Sequence, residues 1–63
     1  MAQLTIRQEY ILLAKPEDRS SVAFLWLPGV DYVDISTDGD LPVRYSVLEA
    51  AELFYSLFDQ GYR

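Results

Sequence analysis

The sequence contains no cysteine and no histidine, and Lys15 is its single lysine. The missing cysteine excludes disulfides and thiolate metal sites, and the missing histidine removes the commonest metal ligand and the usual acid–base group near neutral pH. The three glycines, Gly29, Gly39 and Gly61, are too scattered for a phosphate-cradling loop. No apolar run approaches the ~18 residues that cross a bilayer. Met1 to Arg7 lacks the basic and apolar regions of a secretion signal, so a cytoplasmic location is expected. Bases are scarce after residue 30. Residues 1–30 balance Glu9, Glu17 and Asp18 against Arg7, Lys15 and Arg19, whereas residues 31–62 hold Asp31, Asp34, Asp38, Asp40, Glu49, Glu52 and Asp59 against Arg44 alone. The net charge of −5 opposes direct contact with nucleic acid or an anionic membrane and favours solubility or a basic partner.

What is present is apolar. Hydrophobic residues make up 51% of the 63-residue chain, which reads as a single domain, 1–63. A domain this small buries only about 60% of its unfolded surface. With disulfides and thiolate metal sites excluded, stability rests on a dense core or on association with another chain.

Leu4 to Ala14 is open between strand and helix. As a strand it places Leu4, Ile6, Tyr10, Leu12 and Ala14 on one face and Thr5, Arg7, Glu9, Ile11 and Leu13 on the other. As a helix it starts from a Thr5/Gln8 capping box and stops at Pro16. The short turn Lys15–Ser21 and the clear strand beyond it favour the strand. Val22–Leu27 is apolar on both faces, the pattern of a strand covered on both sides. Pro28-Gly29 ends it. Val30–Ser36 alternates, with Val33 and Ile35 opposite Tyr32, Asp34 and Ser36. Asp38-Gly39 signals a type I′ hairpin, and Leu41–Tyr45 is the return strand, reduced by Pro42 to a short edge. Ser46-Val47-Leu48-Glu49 is a capping box and Gly61 a C′ residue, which predicts a helix over about 47–60. The expected fold is α+β, an antiparallel sheet of three or four strands packed by one C-terminal helix.

The polar side chains of that helix, Glu49, Glu52, Ser56, Asp59 and Gln60, fall within an arc of about 100°, leaving an apolar arc of about 220°, twice what one core needs. A partner or homodimer surface built around Trp26, Phe24 or Tyr55 would use the excess; the alternative is a strongly twisted sheet that wraps the helix and buries both.

Asp34, Ser36, Asp38 and Gly39 match the first half of a calcium loop, but the positions that should complete it hold Pro42 and Tyr45. A hairpin turn with acidic flanks explains the same residues, so no metal or cofactor is expected. Acid–base catalysis would fall to carboxylates and tyrosines, and so short a chain barely closes one core, so no enzyme is expected. The candidate binding residues are Asp31, Asp34, Asp38, Asp40, Glu49, Glu52 and Asp59, which could form one negative surface if hairpin and helix lie side by side.

In its small size, acidity and lack of histidine and cysteine the chain resembles the small phage and mobile-element inhibitors of anti-CRISPR type, some of which act as DNA mimics. The resemblance implies an inhibitory protein in the bacterial host that blocks a basic nucleic-acid-binding surface of a Cas complex, with those acids as contacts. The other expectation is an interaction module, a dimerising or antitoxin-like subunit, that works through exposed apolar surface.

Overall fold

The computed structural model describes residues 8–63. Four strands in the order β1 (Glu9–Lys15), β2 (Ser20–Trp26), β3 (Tyr32–Thr37) and β4 (Val43–Ser46) form one antiparallel meander, and α1 (Val47–Asp59) follows directly. The open choice at the N-terminus resolves as strand from Glu9 onward; its part on Leu4, Thr5, Ile6 and Arg7 lies outside the described residues. β1 is held by its register against β2, from Glu9 opposite Trp26 to Lys15 opposite Ser20. The turn between them is four residues long. The Lys15 carbonyl accepts from the Asp18 N–H at 3.2 Å, and Arg19 closes the turn in the left-handed region at φ 54°.

Pro28 and Gly29 occupy the central positions of the β2–β3 turn, Gly29 at φ 85° where a side chain would be strained. Asp38 and Gly39 both take positive φ, 53° and 80°, and the Asp40 N–H donates to the Thr37 carbonyl at 3.0 Å, as a type I′ turn requires. The turn does not close a tight β3–β4 hairpin, however. The last paired residues are Ile35 and Val43, so a wider loop separates the strands. Two causes act together. Pro42 offers no N–H to a ladder. Asp38 is drawn to β2, where its N–H donates to the Ser21 carbonyl and its Oδ1 accepts from the Ser21 N–H, both at 2.8 Å.

The strand alternation sorts the sheet into two faces. Leu13, Val22, Phe24 and Ile35 point inward with Ala50 and Leu57 of α1, and these six form the buried core. Trp26, Val33, Tyr45, Leu53, Phe54 and Tyr62 pack around it. Phe54 is the aromatic hub, edge-on to Phe24 at 5.5 Å and to Phe58 at 4.9 Å. The outer face carries Tyr10, Leu12, Ala23 and Leu25 on the β1–β2 half, and no second layer covers it among the described residues. β2 is therefore covered on one face, contrary to the expectation from its continuous apolar run; Ala23 and Leu25 lie half-exposed opposite the core.

Both ends of α1 follow the local sequence. The Ser46 hydroxyl accepts from the Glu49 N–H at 3.2 Å, and the Glu49 carboxylate reaches back to the Ser46 N–H. At the other end Gly61 takes φ 99°, its N–H donates to Phe58 and the Tyr62 N–H to Leu57, a complete Schellman closure. The tail then reaches the edge of β1, where Arg63 and Ala14 exchange both backbone hydrogen bonds at 2.9 Å. α1 thus starts beside β4, packs on β3 and β4, and crosses the sheet diagonally toward the far end of β1. It is too short to cross a membrane.

Candidate functional site

A diagonal helix leaves different surroundings on its two sides. One flank carries Glu49, Glu52, Ser56 and Asp59 and overhangs the β4 edge, where Tyr45, Glu49, Glu52, Leu53 and Ser56 line a shallow depression. The other flank carries Val47, Ala51 and Phe54 and walls an open groove of about 280 Å³ over the uncovered corner of the sheet. Phe24, Trp26 and Val33 form its floor, Ile11 on the edge strand its rim, and Val30 lines it from the β2–β3 loop. Leu48 and Tyr55, 78% and 69% exposed, lie on the outer surface of α1 between the two flanks.

The seven acids do not share one surface. Glu49, Glu52 and Asp59 align along the helix flank, spanning about 15 Å at 1.5 Å per residue. Asp38 and Asp40 sit in the turn at the end of the sheet toward which α1 runs. Asp31 belongs to the β2–β3 loop at the opposite end. Asp34 points from the outer face, away from α1, and its carboxylate accepts from Arg44 Nε at 3.0 Å across the β3–β4 pair. The Arg44 guanidinium also lies over the Tyr32 ring, 3.8 Å from its centroid. Its hydrogen bond to Asp34 holds the Arg44 pKa above its ordinary value.

Several of these carboxylates already serve the fold. Asp34 holds Arg44, Asp38 anchors its turn on Ser21, and Glu49 completes the helix cap. Asp31, Asp40, Glu52 and Asp59 make no side-chain hydrogen bond or ion pair among the described residues. No described base pairs with the acidic flank, although Lys15 lies beside Gly61 at the C-terminal end of α1. Lys15 is paired with Asp18 at 3.2 Å, Arg19 and Arg63 sit at the far end of the β1–β2 hairpin, and Arg44 is on the outer face. Asp34, Ser36 and Asp38 do not converge, and no cluster of acidic side chains suited to a metal occurs among the described residues.

Of the three residues expected in an apolar docking surface, Tyr55 is exposed and Trp26 lines the groove. Phe24 is 3% exposed and belongs to the core. The doubly apolar pattern of β2 concealed that its even positions face α1. Ile11, Val47 and Ala51 were missed as surface residues. Their signal was the helix direction, because a helix that begins at one sheet edge and returns to the other must leave a corner bare.

Comparison with protein-family models, with curated proteins and with solved structures found no match for this chain.

Proposed function

We propose that this chain is a small, non-enzymatic binding protein that occupies a basic, nucleic-acid-binding surface of a larger complex, in the manner of an anti-CRISPR inhibitor in a bacterial cell. The observation that carries the reading is the acidic flank of α1. Three carboxylates lie along one flank of a rigid helix with no basic partner among the described residues, and Asp38 and Asp40 stand at the end of the sheet toward which it runs. The flank sets three charges over about 15 Å, a mean spacing of about 7.5 Å, against one per 1.7 Å of duplex axis and 3.4 Å for one strand. That density matches a basic patch or single-strand channel better than a full duplex groove. The contact set this reading uses is Glu52 and Asp59, then Asp40 and the outward oxygens of Glu49 and Asp38. Asp34 is committed to Arg44 on the opposite face, so it serves the fold in this reading.

The test is capture from a lysate of a bacterium carrying an intact CRISPR system, with duplex and single-stranded DNA as competitors. The reading predicts a nucleic-acid-binding complex that DNA displaces, and no capture by a folded Glu52→Lys/Asp59→Lys variant. Capture that is indifferent to both competitors and to the substitutions would contradict it.

The groove, together with the exposed Leu48 and Tyr55 on the outer surface of α1, supports a second reading, an interaction module that works through apolar surface as a dimerising or antitoxin-like subunit. Exposed apolar surface of this kind on a small soluble chain marks association. Weak salt dependence and loss of association on Trp26→Ala or Tyr55→Ala distinguish it.

A further inference from the structure

β1 is an edge strand, and its outer edge is half used. Arg63 exchanges both backbone bonds with Ala14, so the N–H and C=O of Ala14 point away from β2. In an antiparallel ladder this direction alternates, so those of Leu12 and Tyr10 point the same way. No described residue pairs with them. The side chains there are unusually apolar for an edge: Tyr10 is 66% and Leu12 55% exposed on the outer face, and Ile11 stands on the inner face at the rim of the groove. Natural edges are usually blunted by charge, proline or a bulge, and Tyr10-Ile11-Leu12 has none of these.

We infer that this edge pairs with the same edge of a second copy of the chain, β1 against β1 antiparallel, to give a continuous eight-stranded sheet. Three features favour a second copy over a foreign strand. The open groups of Tyr10 and Leu12 are placed symmetrically about Ile11, so one twofold axis through Ile11 makes Tyr10 of each copy exchange both bonds with Leu12 of the other. The same register sets the exposed Tyr10 and Leu12 side chains opposite each other on the outer face and Ile11 against its mate on the inner face, the cross-strand contacts that stabilise a sheet. The charges also match. In this register Glu9 faces Leu13 and lies diagonally beside Lys15 of the other copy, whereas in-register parallel pairing would set Glu9 beside Glu9. Arg63 on Ala14 stops the ladder at each end and keeps it short, which makes the dimer weak and concentration-dependent. The inference is independent of the acidic flank, which lies on the far side of α1.

The test is sedimentation of the full chain across roughly 10 μM to 1 mM, with amide hydrogen exchange read residue by residue. The molar mass is expected to rise toward the doubled value, with exchange at Tyr10 and Leu12 slowing about tenfold from the lowest to the highest concentration. Ile11→Lys, which sets two like charges across the axis, should stay monomeric with fast exchange at both amides; Tyr10→Lys serves the same purpose should the first variant misfold. A monomer at the highest concentration, a dimer whose Tyr10 and Leu12 amides stay unprotected, or protection that appears only when a foreign peptide is added would each overturn the inference.

Discussion

The two flanks of α1 are built from one stretch of sequence and end up as opposite kinds of surface. Glu49, Glu52 and Asp59 recur at helical spacing on the β4 side, where the sheet stops and water reaches the carboxylates. Val47, Ala51 and Phe54 recur at the same spacing on the β1–β2 side, where the sheet continues beneath them and walls a groove. The difference comes from where the helix starts. Ser46 ends β4 and caps α1 without a linker, so α1 begins at an edge and can cover only a diagonal band of the sheet.

The comparison breaks first at its shared support. Phe24→Ala empties the core under both flanks and should cost about 3–5 kcal/mol, close to the whole stability of so small a domain, as a lost thermal transition would show. Reversing the acidic flank with Glu52→Lys/Asp59→Lys should cost about 2–5 kcal/mol of affinity for a basic partner and leave the melting temperature nearly unchanged, by titration and calorimetry. Ser46→Ala removes the cap that starts both flanks and should cost about 1 kcal/mol in denaturant unfolding. Smallest is Asp34→Asn, which loosens Arg44 on the outer face. It should leave partner affinity unchanged, and a large loss of binding would place the contact surface on the other side of the sheet.

The helix was the most legible element, because Ser46, Glu49 and Gly61 each carry their own local geometry and need no tertiary partner to be read. β1 was open because Tyr10, Ile11, Leu12 and Leu13 satisfy either period, and pairing with β2 decides it. Asp38-Gly39 disclosed the turn type but not the wider loop, which depends on the distant Ser21. The acids were legible as residues and illegible as a surface. Asp34 and Glu52 are alike in composition, yet strand alternation and the register opposite Arg44 turn one away from α1, while helical spacing keeps the other beside Asp59's flank.

The most direct measurement is the salt dependence of affinity for the captured partner, comparing the native chain, Glu52→Lys/Asp59→Lys, and Leu48→Ser/Tyr55→Ser. If the acidic flank is the docking surface, native affinity falls steeply with salt, the charge reversal removes most of that slope and most of the affinity, and the apolar pair changes the slope little. A native affinity flat in salt, lost in the Leu48/Tyr55 variant and kept in the charge reversal, would contradict the account and assign binding to the apolar surface of α1.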